Sequence, residues 1–169
     1  ILFFLFSKNI ISENYLLSSF YLAMFLIGFS SDLKIFNNPK KRFLIQFLII
    51  LIFTALIDLK ITSSTRLAYL DIILQNEIFH YFFVSFCLMV LINGANFIDG
   101  INTNLTSYVI IILSFLLLGM SENLHNIETI KGLIFLLSVF YFFNLFGKVI
   151  LGDSGAYLIS MFLGIFLIN

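Results

Sequence analysis

The stretch IFHYFFVSFCLMVLINGANFI, Ile78 to Ile98, decides the fold. It contains no Lys, Arg, Asp or Glu, and as a helix rising about 1.5 Å per residue it would cross a hydrocarbon layer about 30 Å thick. Its Leu, Ile and Phe do not alternate strictly with polar residues, as a barrel strand would. A bilayer offers no partner to open backbone groups, so helix is the expected state. Five further runs come near the same standard: Tyr15 to Ser30, Arg42 to Ile57, Leu105 to Met120, Ile130 to Gly147, and Gly155 to the end. The opening Ile1 to Phe6 reads as the tail of another. The expectation is an all-α, polytopic integral membrane helical bundle of about six transmembrane helices, forming a single membrane domain over residues 1–169.

Composition supports this independently. Of 169 residues, 61% are apolar and 11% are charged, and the mean hydropathy is +1.10. A soluble domain of this size carries about a quarter charged residues. The apolar surface exceeds what one core can hide, so lipid must solvate the remainder. Acids and bases balance at nine each, which argues against a nucleic-acid partner. Cys87 is the sole cysteine, which excludes a disulfide framework and argues against a zinc site. The chain opens at Ile1 without a basic n-region, so a signal peptide does not fit. Both ends lie in hydrophobic sequence, and the expectation is a piece of a longer protein, truncated at both ends.

The connections between runs are of two alternating kinds. Ser7 to Asn14, Asp58 to Glu77 and Ser121 to Thr129 are ordinary polar loops. Ser31 to Lys41, Asn93 to Asn104 and Lys148 to Ser154 are short and either Gly-rich or basic. Two spans separate successive loops of one kind, so parity places all three of the second kind on one membrane face. Lys34, Lys40, Lys41 and Arg42 cluster there, and the positive-inside rule assigns that face to the cytoplasm. Pro39 falls in this basic loop, where a helix break is expected.

Each loop of the second kind carries an acid at a span terminus: Asp32, Asp99 and Asp153. Each also has an ordinary reading. Asp153 with Ser154 could cap the last helix, Asp99-Gly100 is a common turn pair, and Asp32 could be a solvated helix end. The concentration of glycine favours a site instead, because Gly28, Gly94, Gly100, Gly147, Gly152 and Gly155 account for six of the nine glycines. Glycine lets backbone approach a ligand closely, and converging carboxylates suit a hard divalent cation such as Mg²⁺. His80 and His125 have no evident partner and read as core or solvated residues. Asp58 and Glu77 read as helix ends on the opposite face.

The order and spelling of these segments resemble the polyprenyl-phosphate N-acetylhexosamine-1-phosphate transferases, glycosyltransferase family 4. Those enzymes start peptidoglycan, O-antigen and teichoic-acid lipid carriers. The family's Asp-Asp pair ahead of a basic loop is matched by Gly28 to Arg42. Its Asn-Ala-x-Asn-x-x-Asp-Gly-x-Asn/Asp-Gly segment is matched by Asn93 to Asn102. Its Lys-x-Phe-x-Gly-Asp-x-Gly segment is matched by Lys148 to Gly155, with Asn144 upstream. The resemblance runs from about Leu26 to Asn169.

It implies transfer of a sugar-1-phosphate from a UDP-N-acetylhexosamine-type donor to a polyprenyl phosphate of the undecaprenyl kind, beginning a cell-envelope glycan. Mg²⁺ would be the cofactor, with Mn²⁺ as the alternative. The setting would be the cytoplasmic face of a bacterial inner membrane, and a homodimer is compatible with it. By the same resemblance Asp153 would bind the metal with Asn96 as second ligand. Asp99 would hold the nucleotide or orient the phosphates, and Asp32 would meet the lipid phosphate or the metal site. Asn93, Asn102, Asn144, Lys148 and Ser154 would contact substrate. Three positions depart from the pattern: Ser31 replaces the first Asp of the pair, Ile35 a further acid, and Thr103 a Gly. Serine supplies no negative charge, so a catalytically impaired paralogue acting as a binding or scaffold protein is the alternative. A small transporter fits less well, since transporters set such acids near the bilayer midplane rather than at span ends.

Overall fold

The computed structural model describes residues 15–35, 38–61, 68–100, 102–119 and 124–168. The regular structure among them is entirely helical. In chain order the helices are α1 (Tyr15–Asp32), α2 (Pro39–Leu56), α3 (Ala68–Leu74), α4 (Glu77–Ile98), α5 (Asn104–Gly119), α6 (Leu124–Leu145) and α7 (Gly152–Ile168). Six of them correspond to the six expected spans, in an all-α membrane bundle. Helices α1 and α4, and α6 from Ile127, are long and apolar enough to cross a bilayer. Helices α5 and α7 are apolar but shorter, and α2 opens with the basic turn Lys40-Lys41-Arg42.

Several boundaries differ from expectation, α1 reaching Asp32 and α7 starting at Gly152 among them. Helix α2 begins at Pro39 rather than Arg42. Proline lacks the N–H that a first helical turn cannot use, so here it starts the helix instead of breaking the chain. Asn38 completes the cap, its Oδ1 accepting from Lys40 N at 3.1 Å and Lys41 N at 3.4 Å. The Asp58–Glu77 connection, read as a loop, contains α3. Helix α6 starts within the stretch read as the Ser121–Thr129 loop. The proposed span tail Ile1–Phe6, the Ser7–Asn14 loop and the His125 side chain lie outside the described residues.

Helix α7 is the hub. Phe20 and Met24 of α1, Ile50 of α2, Val84, Leu88, Met89 and Ile92 of α4, and Tyr157, Met161 and Ile165 of α7 form one buried cluster. Ala156 and Leu163 of α7 join a second, with Ala95, Leu105, Val109, Leu113, Ile130 and Leu137. Between helices in lipid the hydrophobic effect supplies little, because lipid tails are as apolar as the side chains, and close van der Waals packing carries the association. Helix α2 contributes a stripe at four-residue spacing, Gln46, Ile50 and Thr54. The Thr54 hydroxyl shares a buried 2.8 Å hydrogen bond with Ser85 of α4. Helix α6 contributes a narrower stripe, Ile130, Leu137 and Asn144, seven residues apart. Large side chains such as Leu22, Leu26, Phe115, Leu118 and Phe135 face outward, as lipid-facing residues should.

At the end formed by Asp58 and Glu77, Lys60 pairs with Asp58 at 2.8 Å and Glu77 at 3.5 Å. Its ammonium, aided by the Tyr81 hydroxyl, holds the Asp58 carboxyl below the usual carboxylate range. His80, read as core or solvated and without an evident partner, is buried and has two partners. Its Nε2 accepts from Ile61 N at 2.9 Å, which leaves Nδ1 to donate to Leu74 O at 3.0 Å. The ring thus ties the chain after α2 and the end of α3 onto α4, and this end of the bundle is closed by structural contacts.

Candidate active site

The opposite end gathers the three Gly-rich or basic loops, as parity requires. Helix α1 arrives there and α7 departs from it, and the two pack closely because Gly28 has no side chain. A Cβ on Gly28 would stand 2.5 Å from Ser154 Cα and 2.7 Å from Asp153 O. This close approach brings the end of α1 onto the first turn of α7. Asp32 Oδ1 accepts from Asp153 N at 2.8 Å, and its Oδ2 from Ser154 N at 3.1 Å. A helix leaves its first amides without internal partners and carries partial positive charge there. The cap of α7 therefore comes from Asp32 on another helix, and not from Asp153 or Ser154. Gly152 makes room for it: its φ is +68°, and a Cβ would lie 2.9 Å from Asp32 Oδ2.

With its backbone amide capped, Asp153 turns its carboxylate toward α2. Arg42 Nη1 donates to Asp153 Oδ2 at 2.8 Å, both side chains being partly buried. Ser31 Oγ donates to the same oxygen at 2.5 Å and also meets Arg42 Nη1. Ser31 thus occupies the junction of the ion pair, at the position where the family pattern has an acid.

Asp99 follows the last residue of α4, where its backbone N–H closes the helix on Ala95 O at 3.0 Å. Its carboxyl is pushed up to about 6, first by burial and then by the negative charges of Asp153 and Asp32. All three acids therefore share one electrostatic site. Against Arg42 they leave an excess of two negative charges when ionised. Among the described residues no three His, Cys, Asp or Glu side chains converge as a ready-made metal cage. That does not disqualify Mg²⁺, which is held by one or two carboxylates together with substrate phosphates and water. An all-oxygen donor set with surplus negative charge fits such an ion.

The remaining expected site residues are distributed around this centre. Asn96 donates to the Tyr157 hydroxyl on α7 at 3.5 Å. Asn93 donates to Met89 O of its own helix at 2.9 Å. Asn144 is buried and fully engaged, accepting from Thr103 N at 2.5 Å and donating to Val149 O at 2.6 Å. It clamps the α4–α5 connection to the α6–α7 connection. Asn102 and Lys148 are exposed at the same end, and Ser154 is partly buried in the first turn of α7. Arg42 was not among the expected site residues; it was counted only as one of a basic cluster. Its register was informative, since it stands four residues before Gln46 on the buried stripe of α2, whereas Lys40 and Lys41 are exposed.

Below the charged centre an apolar groove opens between α2 and α4. Its walls are Phe43, Phe47, Phe82, Phe86, Met89, Val90 and Phe97, with Asn93 and Gly94 about one turn of α4 before Phe97, and its volume is about 520 Å³.

Residues 15–169 match the family model of glycosyl transferase family 4. The chain belongs to that family. Membership supports a transferase of the polyprenyl-phosphate sugar-phosphate kind, acting with a sugar donor and a lipid acceptor at a membrane. No curated protein and no solved structure gives a significant match.

Proposed function

We propose that this family 4 member transfers a sugar-1-phosphate from a UDP-N-acetylhexosamine-type donor to a polyprenyl phosphate, at the cytoplasmic face of a bacterial inner membrane. The observation that carries the reading is the Asp32–Asp153–Arg42 constellation, with half-buried Asp99 within its field. An oxygen of the lipid phosphate attacks the β-phosphorus of the donor. The bond from that phosphorus to the bridging oxygen breaks, and UMP leaves with the electron pair. Such transfers demand mainly positioning and charge neutralisation.

Asp153 and Asn96 would hold a Mg²⁺ or Mn²⁺ ion, which supplies neutralisation of the diphosphate when bound. Asp153 is accessible enough to exchange its Arg42 partner for a ligand. Arg42, freed in that exchange, can donate its planar fork to phosphate oxygens. Asp99 would orient the donor, and Asp32 keeps the α7 amides and Asp153 in place next to the acceptor phosphate. Lys148, Asn102, Asn93 and Ser154 line the approaches to the same end. The groove beneath suits a polyprenyl chain, being lined almost wholly by apolar side chains.

The test is UMP exchange with UDP-sugar by the protein in detergent. Asp153→Asn should abolish Mg²⁺-dependent exchange while leaving the protein folded, and full retention would refute the metal assignment. A scaffold function is the second reading, favoured by Ser31. Ser31→Asp restores the missing charge and should raise exchange; no exchange in either form would favour the scaffold. Orientation is read separately: a cysteine at Lys41 should label only after permeabilisation and one at Gln75 without it.

A further inference from the structure

Asn144 lies in the last turn of α6, where the buried stripe of Ile130 and Leu137 continues at the same seven-residue spacing. An apolar side chain would extend that packing. An amide in the slot needs partners, because a buried polar group without them costs stability. It finds them in two separate connections. Its Oδ1 accepts from Thr103 N at 2.5 Å, and its Nδ2 donates to Val149 O at 2.6 Å. Thr103 follows Asp99 by four residues and opens α5, its carbonyl accepting from Ser107 N at 2.9 Å. Val149 precedes Asp153 by four residues. Both connections turn through left-handed backbone, at Thr103 with φ +69° and at Gly147 with φ +65°. The Asn144 carbonyl accepts from Gly147 N at 2.9 Å, so the same residue also turns the chain out of α6. Asp32 and Arg42 reach Asp153 by direct bonds. The bonded route from the Asp99 connection to the Asp153 connection runs instead through Asn144 and, more loosely, through Asn96 and Tyr157 at 3.5 Å.

We propose that Asn144 is a positioning residue for the transfer, its side-chain amide setting the separation between the connection that follows Asp99 and the one that precedes Asp153. The inference rests on the transferase reading above and departs from the family resemblance, which would put this residue on the substrate. At 5% exposure, with its oxygen and its nitrogen both engaged by backbone, Asn144 is turned away from any ligand. It acts instead on the spacing of two acids, and that spacing fixes where a diphosphate and its cation can sit. An error of about 1 Å in such positioning can cost about a hundredfold in rate.

The experiment compares wild type, Asn144→Leu and Asn144→Asp in the whole protein in detergent. It measures Mn²⁺ affinity without donor by electron paramagnetic resonance, UMP exchange kinetics, and thermal unfolding. A separate sample, carrying Cys87→Ser with spin labels on Asn102→Cys and Lys148→Cys, reports the distance between the two connections. Leucine removes both bonds at similar volume. Aspartate keeps an acceptor for Thr103 N and loses the donor to Val149 O. Asn144→Leu should weaken Mn²⁺ binding about tenfold, as outer groups around metal sites commonly do when lost. It should also lower kcat with the donor KM little changed, and broaden the label distances. Asn144→Asp should fall between it and wild type in all of these. A raised donor KM with wild-type Mn²⁺ affinity would overturn the proposal and return Asn144 to the substrate. So would an unchanged label distance, or losses that only track the unfolding midpoint across the two variants. If Asn144→Leu does not fold, Asn144→Asp decides alone, and wild-type Mn²⁺ affinity and kcat in it would overturn the proposal. If the wild type itself neither binds Mn²⁺ nor exchanges UMP, the transferase reading fails, while the label distances still test the clamp.

Discussion

The carboxylate of Asp32, at the end of α1, caps the first turn of α7, with 2.8 Å from Oδ1 to Asp153 N and 3.1 Å from Oδ2 to Ser154 N. One carboxylate therefore serves the fold and the site together, because the residue it caps is Asp153. Removing it should cost both. Asp32→Ala is expected to lower stability by about 1–2 kcal/mol through loss of the cap and of its charge beside the helix dipole. Asp32→Asn keeps an acceptor and should recover most of that. Thermal unfolding in detergent decides it, and equal midpoints for Ala and wild type would remove the cap from the account.

Thr103 holds a φ of +69°, a region that a β-branched residue seldom adopts. The family pattern has glycine at this position. The conformation is held because Thr103 N donates to Asn144 and Thr103 O accepts from Ser107 N at 2.9 Å. Thr103→Gly should relieve about 1–2 kcal/mol of strain and return part of it as chain entropy, for a net gain of about 0.5–1 kcal/mol. Thr103→Ala keeps the strain and should give no such gain. Equal midpoints for Gly and Ala variants would count against strain at this site.

Gly28 and Gly164 both lie where helices meet α4 or α7, but their neighbours differ. A Cβ on Gly28 would meet backbone of Ser154 and Asp153, whereas one on Gly164 would meet the side-chain ends of Leu88 at 2.5 Å and Leu91 at 2.9 Å. Leucine ends can rotate aside and backbone cannot. Gly28→Ala should therefore cost about 1–3 kcal/mol and Gly164→Ala less. Gly28→Ala should also reduce exchange, since it pushes α1 away from the Asp153 turn. The reverse ranking in unfolding midpoints would show that the α1–α7 contact is looser than described.

Much of this was legible before any coordinates. Runs such as Ile78 to Ile98 announce membrane helices by length and hydropathy, and parity alone brings Asp32, Asp99 and Asp153 to one end. Helix α3 was not legible, because seven residues give too little periodicity to separate a helix from a polar loop. Nor was the cap: Asp153-Ser154 has the local signature of its own N-cap, and only the contact at Gly28 brings Asp32 within reach. Arg42 was hidden for a related reason. In sequence it is one of four basic residues, and only the buried stripe of α2 turns it toward Asp153 while its neighbours stay in solvent. The clamp at Asn144 likewise joins two loops that are distant in sequence, and local pattern carries no trace of it.

Asp99 makes the pH behaviour of the bundle specific. Its carboxyl is raised to about 6 in the folded chain, by burial first and then by Asp153 and Asp32, against about 3.9 in an unfolded chain. A raised carboxyl favours the folded state while it stays protonated, so this contribution is fully present below about pH 3.9 and is lost as pH rises through about 6. Asp99→Asn removes the titration while keeping the size of the group. The variant and wild type should therefore unfold at similar temperatures near pH 4. The variant should become the more stable one between about pH 4 and 6 and keep a constant advantage above that. Millimolar Mg²⁺ at neutral pH should narrow the gap, because a cation compensates the ionised Asp99 that the variant lacks. A midpoint difference that stays the same from pH 4 to pH 8 would show that Asp99 is not the strained acid of this site.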